Sequence, residues 1–156
     1  MTDIVDSQTR SRMMAGIRSK NTRPELHVRQ YLHSKGFRYR LHDKKLPGSP
    51  DIVLAKYHLA IFVHGCFWHR HSGCKFATTP VQNHDNWIQK FNQNIVRDKI
   101  QIQCLIDTGW KVLVIWECGL KSATNNLLWL PDYIKLNDSS YEEWPKLIPL
   151  SGAVRS

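Results

Sequence analysis

Hydrophobic positions along this chain switch several times between helical and strand spacing. Met13, Met14 and Ile17 share one side of a basic stretch and predict a short helix over 7–18, after a loose start at 1–6. Thr22-Arg23-Pro24-Glu25 reads as a helix start. Thr22 caps, Pro24 sits in the first turn where its missing N–H costs nothing, and Glu25 completes a capping box. Leu26, Val28, Tyr31 and Leu32 supply the apolar residues of that helix, and Gly36 ends it. Residues 37–41 alternate basic and apolar side chains as a strand does, and the Pro-Gly-Ser-Pro run at 47–50 is a turn. Strands follow over 51–55 and 59–64, joined by a tight turn at 56–58. With Tyr57 and His58 as the two turn residues, Asp51 falls directly opposite His64, on the same face of an antiparallel hairpin. A one-residue slip would break that pairing. Ile88, Phe91, Ile95, Ile102 and Ile106 predict a long helix over 86–108, stopped by Gly109, and 111–116 is a strongly apolar strand. Beyond Leu120 the pattern weakens around Pro131, Pro145 and Pro149, and one short helix is expected there. There is no internal repeat or low-complexity stretch. The alternation of helices and strands predicts a mixed α/β fold, a central sheet flanked by helices.

Composition adds a direction. A chain of 156 residues with 42% hydrophobic content is long enough for one domain with a full core. The formal charge of +9 is lopsided: residues 1–50 carry eleven Lys and Arg against four Asp and Glu, while residues 121–156 net zero. A basic front on a near-neutral body fits an acidic polymer such as nucleic acid, although a merely soluble basic surface has the same charge. Residues 1–16 have no apolar core, so no signal peptide is expected, and no run is long enough to span a bilayer. The expected compartment is a reducing cytoplasm, in association with the nucleoid. Its four cysteines are then free or metal-bound rather than disulfide-bonded.

The chemistry concentrates in 61–74, which reads IFVHGCFWHRHSGC. Cys66, His71 and Cys74 have the spacing of metal ligands, and a fourth would close a tetrahedral zinc site. Cys118 ends the last strong strand, where a sheet neighbour of 59–64 would bring it close to Cys66; Cys104 lies inside the long helix and reads as a small buried hydrophobe. A closed site of this kind is structural. Asp51, after Pro50, can hold Mg²⁺ with its waters and substrate phosphate oxygens, or is simply a turn aspartate. His64 and His69 are candidates for activating water or stabilising a leaving oxygen, each with a structural reading beside it. Asp98 can orient one of them, and Glu25 can hold a metal-bound water. Phe67 and Trp68, set among these polar groups, are a wedge for stacked bases or packing for a loop.

With these residues in place, the chain resembles the very-short-patch repair (Vsr) DNA mismatch endonucleases. The resemblance runs from about 11 to 120 and rests on SRMMAGIRSKNTRPE, RYRLHDKKLPGSPDIV, AIFVHGCFWH and GWKVLVIWEC, in the family's order and spacing. It implies a fold related to restriction endonucleases and a Mg²⁺-dependent nick on the 5′ side of the T in a T:G mismatch, a lesion left when 5-methylcytosine deaminates. It implies Asp51 as the metal-binding aspartate, with the Val63 backbone carbonyl beside it, His64 and His69 as active-site histidines, and Glu25 and Asp98 as supporting acids. Cys66, His71, Cys74 and Cys118 match the zinc ligands. Phe67, Trp68 and Trp87 match aromatics that wedge beside the mismatch, and Met14 matches a residue entering from the other groove. Arg10, Arg12, Arg18 and Lys20 make the basic arm at 1–20 a grip on DNA phosphates. Val63 stands where some members have threonine, the zinc loop is one residue longer than in others, and 121–156 is divergent.

The implied protein is a single endonuclease domain over 1–156, a monomer acting on double-stranded DNA, with other mismatch-repair proteins as further partners and no membrane. Two other readings use the same residues: a zinc-containing DNA-binding module without catalysis, and a restriction-type nuclease that cuts matched duplex.

Overall fold

A computed structural model describes residues 22–121 and 127–146. The expected helix over 7–18, with Met14, Arg10, Arg12, Arg18 and Lys20, lies outside the described residues. Helix α1 (Arg23–Ser34) starts as its sequence predicts, with the Thr22 hydroxyl accepting from the Glu25 N–H at 3.4 Å and Pro24 in the first turn. Its end is closed by Gly36 at φ 83° and by the Phe37 N–H donating to the Leu32 carbonyl at 3.1 Å. That closure draws Phe37 into the core, so the strand expected over 37–41 shrinks to β1 (Arg40–Leu41).

Four more strands, β2 (Ile52–Leu54), β3 (Leu59–His64), β4 (Lys111–Trp116) and β5 (Tyr141–Trp144), complete a sheet in the order β1-β2-β3-β4-β5. β1, β2 and β3 run antiparallel, whereas β4 and β5 each run parallel to their neighbour, so the sheet is mixed. The β2–β3 connection differs from expectation. A 3-10 turn over Ala55–Tyr57 and a left-handed His58 (φ 54°) fill it, and Ile52 pairs with Ile61. Continued to Asp51, this register brings that residue level with Phe62 instead of His64. The displacement is two residues, and side chains alternate with a period of two, so Asp51 and His64 still project from one face.

The alternation along β3 divides the core. Leu59 and Ile61 pack with Val28 and Leu32 of α1 and with Leu130 and Ile134 of α5 (Leu130–Leu136). Ala60 and Phe62 pack on the opposite face with Leu105 of the long helix α3 (His84–Asp107). Helices therefore cover both faces, as the pattern predicts. On α3 the buried positions are Phe91, Asn94 and Leu105, while Ile88 is exposed. β5 was not legible in advance. It reads YEEW, with no apolar alternation, and is an edge strand whose Glu143 carboxylate accepts from the Trp116 indole N–H at 3.0 Å. No helix among the described residues is long and apolar enough to cross a membrane.

Candidate active site and metal centre

Parallel strands β3 and β4 end side by side, with His64 level with Trp116, and each runs straight into a one-turn helix: α2 (Cys66–His69) and α4 (Glu117–Leu120). A cleft of about 1050 Å³ opens at this end of the sheet, and Glu25, Asp51, His64, His69, Asp98 and Trp68 all line it.

Asp51 sits where β2 stops pairing with β3. Its Oδ2 takes the next free N–H of β3, that of Val63, at 2.7 Å. Burial pushes its pKa up to about 7 and the nearby Glu25 carboxylate adds to the rise, against the opposing effect of the Val63 N–H and His69. Glu25 is 2% exposed, and its Oε2 is turned onto Arg29 Nη1 at 3.2 Å and His42 Nε2 at 2.6 Å. The capping-box role expected for Glu25 is not what holds that oxygen. Glu25, His42 and Asp51 form one group of potential ligands, with donor atoms within 4.8 Å of one another.

His64, His69 and Asp98 form a second such group in the same cleft. The two imidazoles stack with centroids 3.8 Å apart and planes 5° from parallel. His69 Nδ1 lies 2.6 Å from Asp98 Oδ2, so the carboxylate on α3 orients His69. Burial, then the charges of His69 and Arg97, push His64 well below the ordinary imidazole range. Its ring is neutral at neutral pH, because the same surroundings disfavour its protonated form.

Phe67 and Trp68 extend from α2 and meet Trp87 on α3, with ring centroids 5.0 to 5.8 Å apart. Two polar groups fix them. The Asn94 amide donates to the Trp68 carbonyl at 3.1 Å, and the Arg70 guanidinium donates to the Phe67 carbonyl at 3.0 Å while lying 3.9 Å over the Phe91 ring. Arg70 also donates to the Ala77 and Thr78 carbonyls, which ties the following loop to α2.

Behind the cleft, Cys66, His71, Cys74 and Cys118 bring their donor atoms within 4.8 Å of one another. The β3–β4 register explains this, because Cys66 and Cys118 each follow the paired His64 and Trp116 by two residues. His71 Nε2 lies 3.0 Å from the Pro145 carbonyl, so it carries the ring proton and leaves the Nδ1 lone pair facing Cys118 Sγ at 3.4 Å and Cys66 Sγ at 3.7 Å. The ring stacks on Trp116 at 4.2 Å. An outer carbonyl that fixes a histidine's tautomer is the arrangement metal ligands use. Burial pushes the Cys66 and Cys118 thiols up, a cost that a bound cation reverses. Cys104 is exposed on α3, outside this group and not the buried residue expected.

Three contributors were not assigned from sequence: His42, Asn94 and Glu117, whose Oε1 accepts from the Cys66 N–H at 3.2 Å. For Asn94 there was a signal, a polar residue one turn after Phe91 and one before Asp98 on the inward face of a helix.

The family profile described as DNA mismatch endonuclease Vsr matches residues 2–75. The type II nicking enzyme V.XorIIP of Xanthomonas oryzae pv. oryzae is 48% identical over 120 residues, 77% of this chain and 88% of that protein. V.NmeAIP of Neisseria meningitidis, also a type II nicking enzyme, is 48% identical over 122 residues, 78% of this chain and 86% of its own. The DNA mismatch endonuclease Vsr of Escherichia coli K12 is 39% identical over 121 residues, covering 78% and 77% of the two chains. The chain therefore belongs to the Vsr family of DNA mismatch endonucleases and is a DNA endonuclease.

Proposed function

We propose that this protein nicks one strand of double-stranded DNA on the 5′ side of the T in a T:G mismatch, leaving 3′-OH and 5′-phosphate ends for resynthesis. The observation that carries this reading is that Phe67 and Trp68 line the same cleft as Asp51, His64 and His69. Aromatics that open a base step and groups that handle a phosphate thus share one site. A T:G pair is easier to unstack than a matched pair. Opening a step costs about a few kcal/mol, and each base stacked on an aromatic returns about 1–3 kcal/mol. That balance favours the mismatch.

The half-buried Asp51, raised in pKa beside Glu25, is the kind of carboxylate a divalent cation stabilises. Asp51 would hold Mg²⁺ with the Val63 carbonyl, and the ion would polarise the scissile phosphate and acidify a bound water. The chain's own groups do the rest: Asp98 holds His69 to relay a proton, with the neutral His64 ring stacked against it. The Cys₃His donor set suits Zn²⁺, which would pin the α2 loop and leave no open position for chemistry. The basic arm at 1–20 and Met14 would grip the duplex from the other side. The fold would be of the restriction-endonuclease type, in one domain acting as a monomer.

A nicking assay tests this reading. End-labelled duplexes carrying one T:G pair, or T:A at the same place, are incubated with and without Mg²⁺ and resolved on a denaturing gel. One Mg²⁺-dependent cut before the mismatched T, absent from the T:A duplex, is expected. Equal cutting of both duplexes would make this a nuclease for matched DNA, and tight mismatch binding without cutting would make it a binding module.

A further inference from the structure

His42 Nε2 is the one fully buried side-chain polar atom without a hydrogen-bond partner among the described residues. It lies 2.6 Å from Glu25 Oε2 but is not aligned with it for a hydrogen bond. A buried ring nitrogen that close to a carboxylate, and not satisfied by it, points toward a third group that both can bind. The backbone brings this about. Pairing of Leu41 with Ile52 continues as the His42 N–H donating to the Asp51 carbonyl at 3.1 Å, so His42 and Asp51 stand opposite each other and project from one face. His42 holds φ at 48°, a region side-chain-bearing residues seldom enter. A ring nitrogen of His42 and one oxygen each from Glu25 and Asp51 end within 4.8 Å of one another.

We propose that His42 is a nitrogen donor to the divalent cation bound by Asp51, making Glu25, His42 and Asp51 one carboxylate–histidine–carboxylate site. This rests on the reading that Asp51 binds a cation. Mg²⁺ takes oxygen ligands and sheds water reluctantly, whereas imidazole suits later divalent ions. A nitrogen in the set therefore shifts the site toward Mn²⁺, which should bind more tightly than Mg²⁺. The Cys66–His71–Cys74–Cys118 group is separate and softer, and Mn²⁺ does not compete for it.

The test uses the full chain, zinc-loaded and free of DNA, titrated with Mn²⁺ and followed by electron paramagnetic resonance. Free Mn²⁺ gives the affinity, and the spin-echo modulation of bound Mn²⁺ reports a directly coordinated ¹⁴N. Circular dichroism and zinc content confirm that each variant folds. Asp51→Asn should weaken binding strongly. His42→Gln should weaken it by at least the ~10-fold that even an outer partner of a ligand is worth, narrow the preference for Mn²⁺ over Mg²⁺, and abolish the ¹⁴N modulation. Modulation absent from the wild type, or persisting in His42→Gln, overturns the assignment of His42 while leaving Asp51 as a ligand. Binding indifferent to Asp51→Asn removes the cation reading of Asp51 and the proposal with it. Should His42→Gln fail to fold, the double variant His64→Gln, His69→Gln decides. Modulation that survives there comes from His42, and modulation that vanishes there does not.

Discussion

Asp51 carries a large electrostatic cost in the cleft. It gains one strong hydrogen bond, from the Val63 N–H, but is largely desolvated beside Glu25, and its pKa rises from 3.8 to about 7. The sign of the consequence follows directly. The folded protein holds this proton up to about pH 7 while the unfolded chain releases it near pH 4, so Asp51 disfavours the metal-free fold increasingly across that window and no further above it. A cation must displace the same proton. The half-saturating Mg²⁺ concentration for nicking should therefore fall as pH rises to about 7 and level off above it, in rate titrations at fixed ionic strength. At this scale the sequence was partly legible. Asp51, His64, His69 and Asp98 were nameable as candidates, each with a structural reading beside it, and the family resemblance singled them out. That Asp51 and His64 share a face was legible too, though in a register two residues away; the backbone path that gives Asp51 a further neighbour was not. His42 was hidden for the same reason: nothing in LHD at 41–43 shows that its backbone is left-handed and opposite Asp51.

At the scale of elements, the one-turn helix α2 joins two functions. Its first residue is a cysteine of the candidate metal centre, and its next two are the aromatics of the cleft. Strand pairing made the choice of Cys118 over Cys104 possible from sequence, because both strands are strongly apolar and their ends could be aligned. Metal analysis should find about one zinc per chain in the wild type and in Cys104→Ser, and a loss in Cys118→Ser together with reduced thermal stability. Equal zinc in Cys118→Ser would remove that residue from the site. Trp68→Ala should weaken binding to a T:G duplex by roughly 10- to 100-fold, the worth of about 1–3 kcal/mol of stacking, while binding to matched duplex changes little in a fluorescence-anisotropy titration. Equal losses on both duplexes would make Trp68 ordinary packing. β5 escaped notice because its pairing is set by β4 and by Glu143 holding Trp116, not by its own pattern. The same segment supplies the Pro145 carbonyl that fixes His71, so the C-terminal part supports the candidate metal centre.

For the whole molecule, a mixed sheet covered on both faces leaves its chemistry at one end, where β3 and β4 finish together. The two apolar strands and the long helix made that architecture readable, since their periods differ plainly and their lengths are ordinary. Charge is the other whole-molecule property. With eleven of the 22 Lys and Arg in residues 1–50, the arm should supply much of the nonspecific grip on DNA. Removing residues 1–20 takes away Arg10, Arg12, Arg18 and Lys20. The slope of log affinity against log salt should then fall by roughly 3–4, at about 0.9 for each phosphate no longer neutralised. An unchanged slope would take those residues off the DNA.

The proposed function assigns cutting to Asp51, in a cleft whose aromatics recognise the lesion independently. The most direct measurement is single-turnover nicking of a T:G duplex by Asp51→Asn beside the wild type, with T:G binding measured on the same samples. The account predicts that nicking is lost while binding and fold are retained. Nicking at near wild-type rate by Asp51→Asn would contradict it, and return Asp51 to the role of a turn residue bonded to Val63.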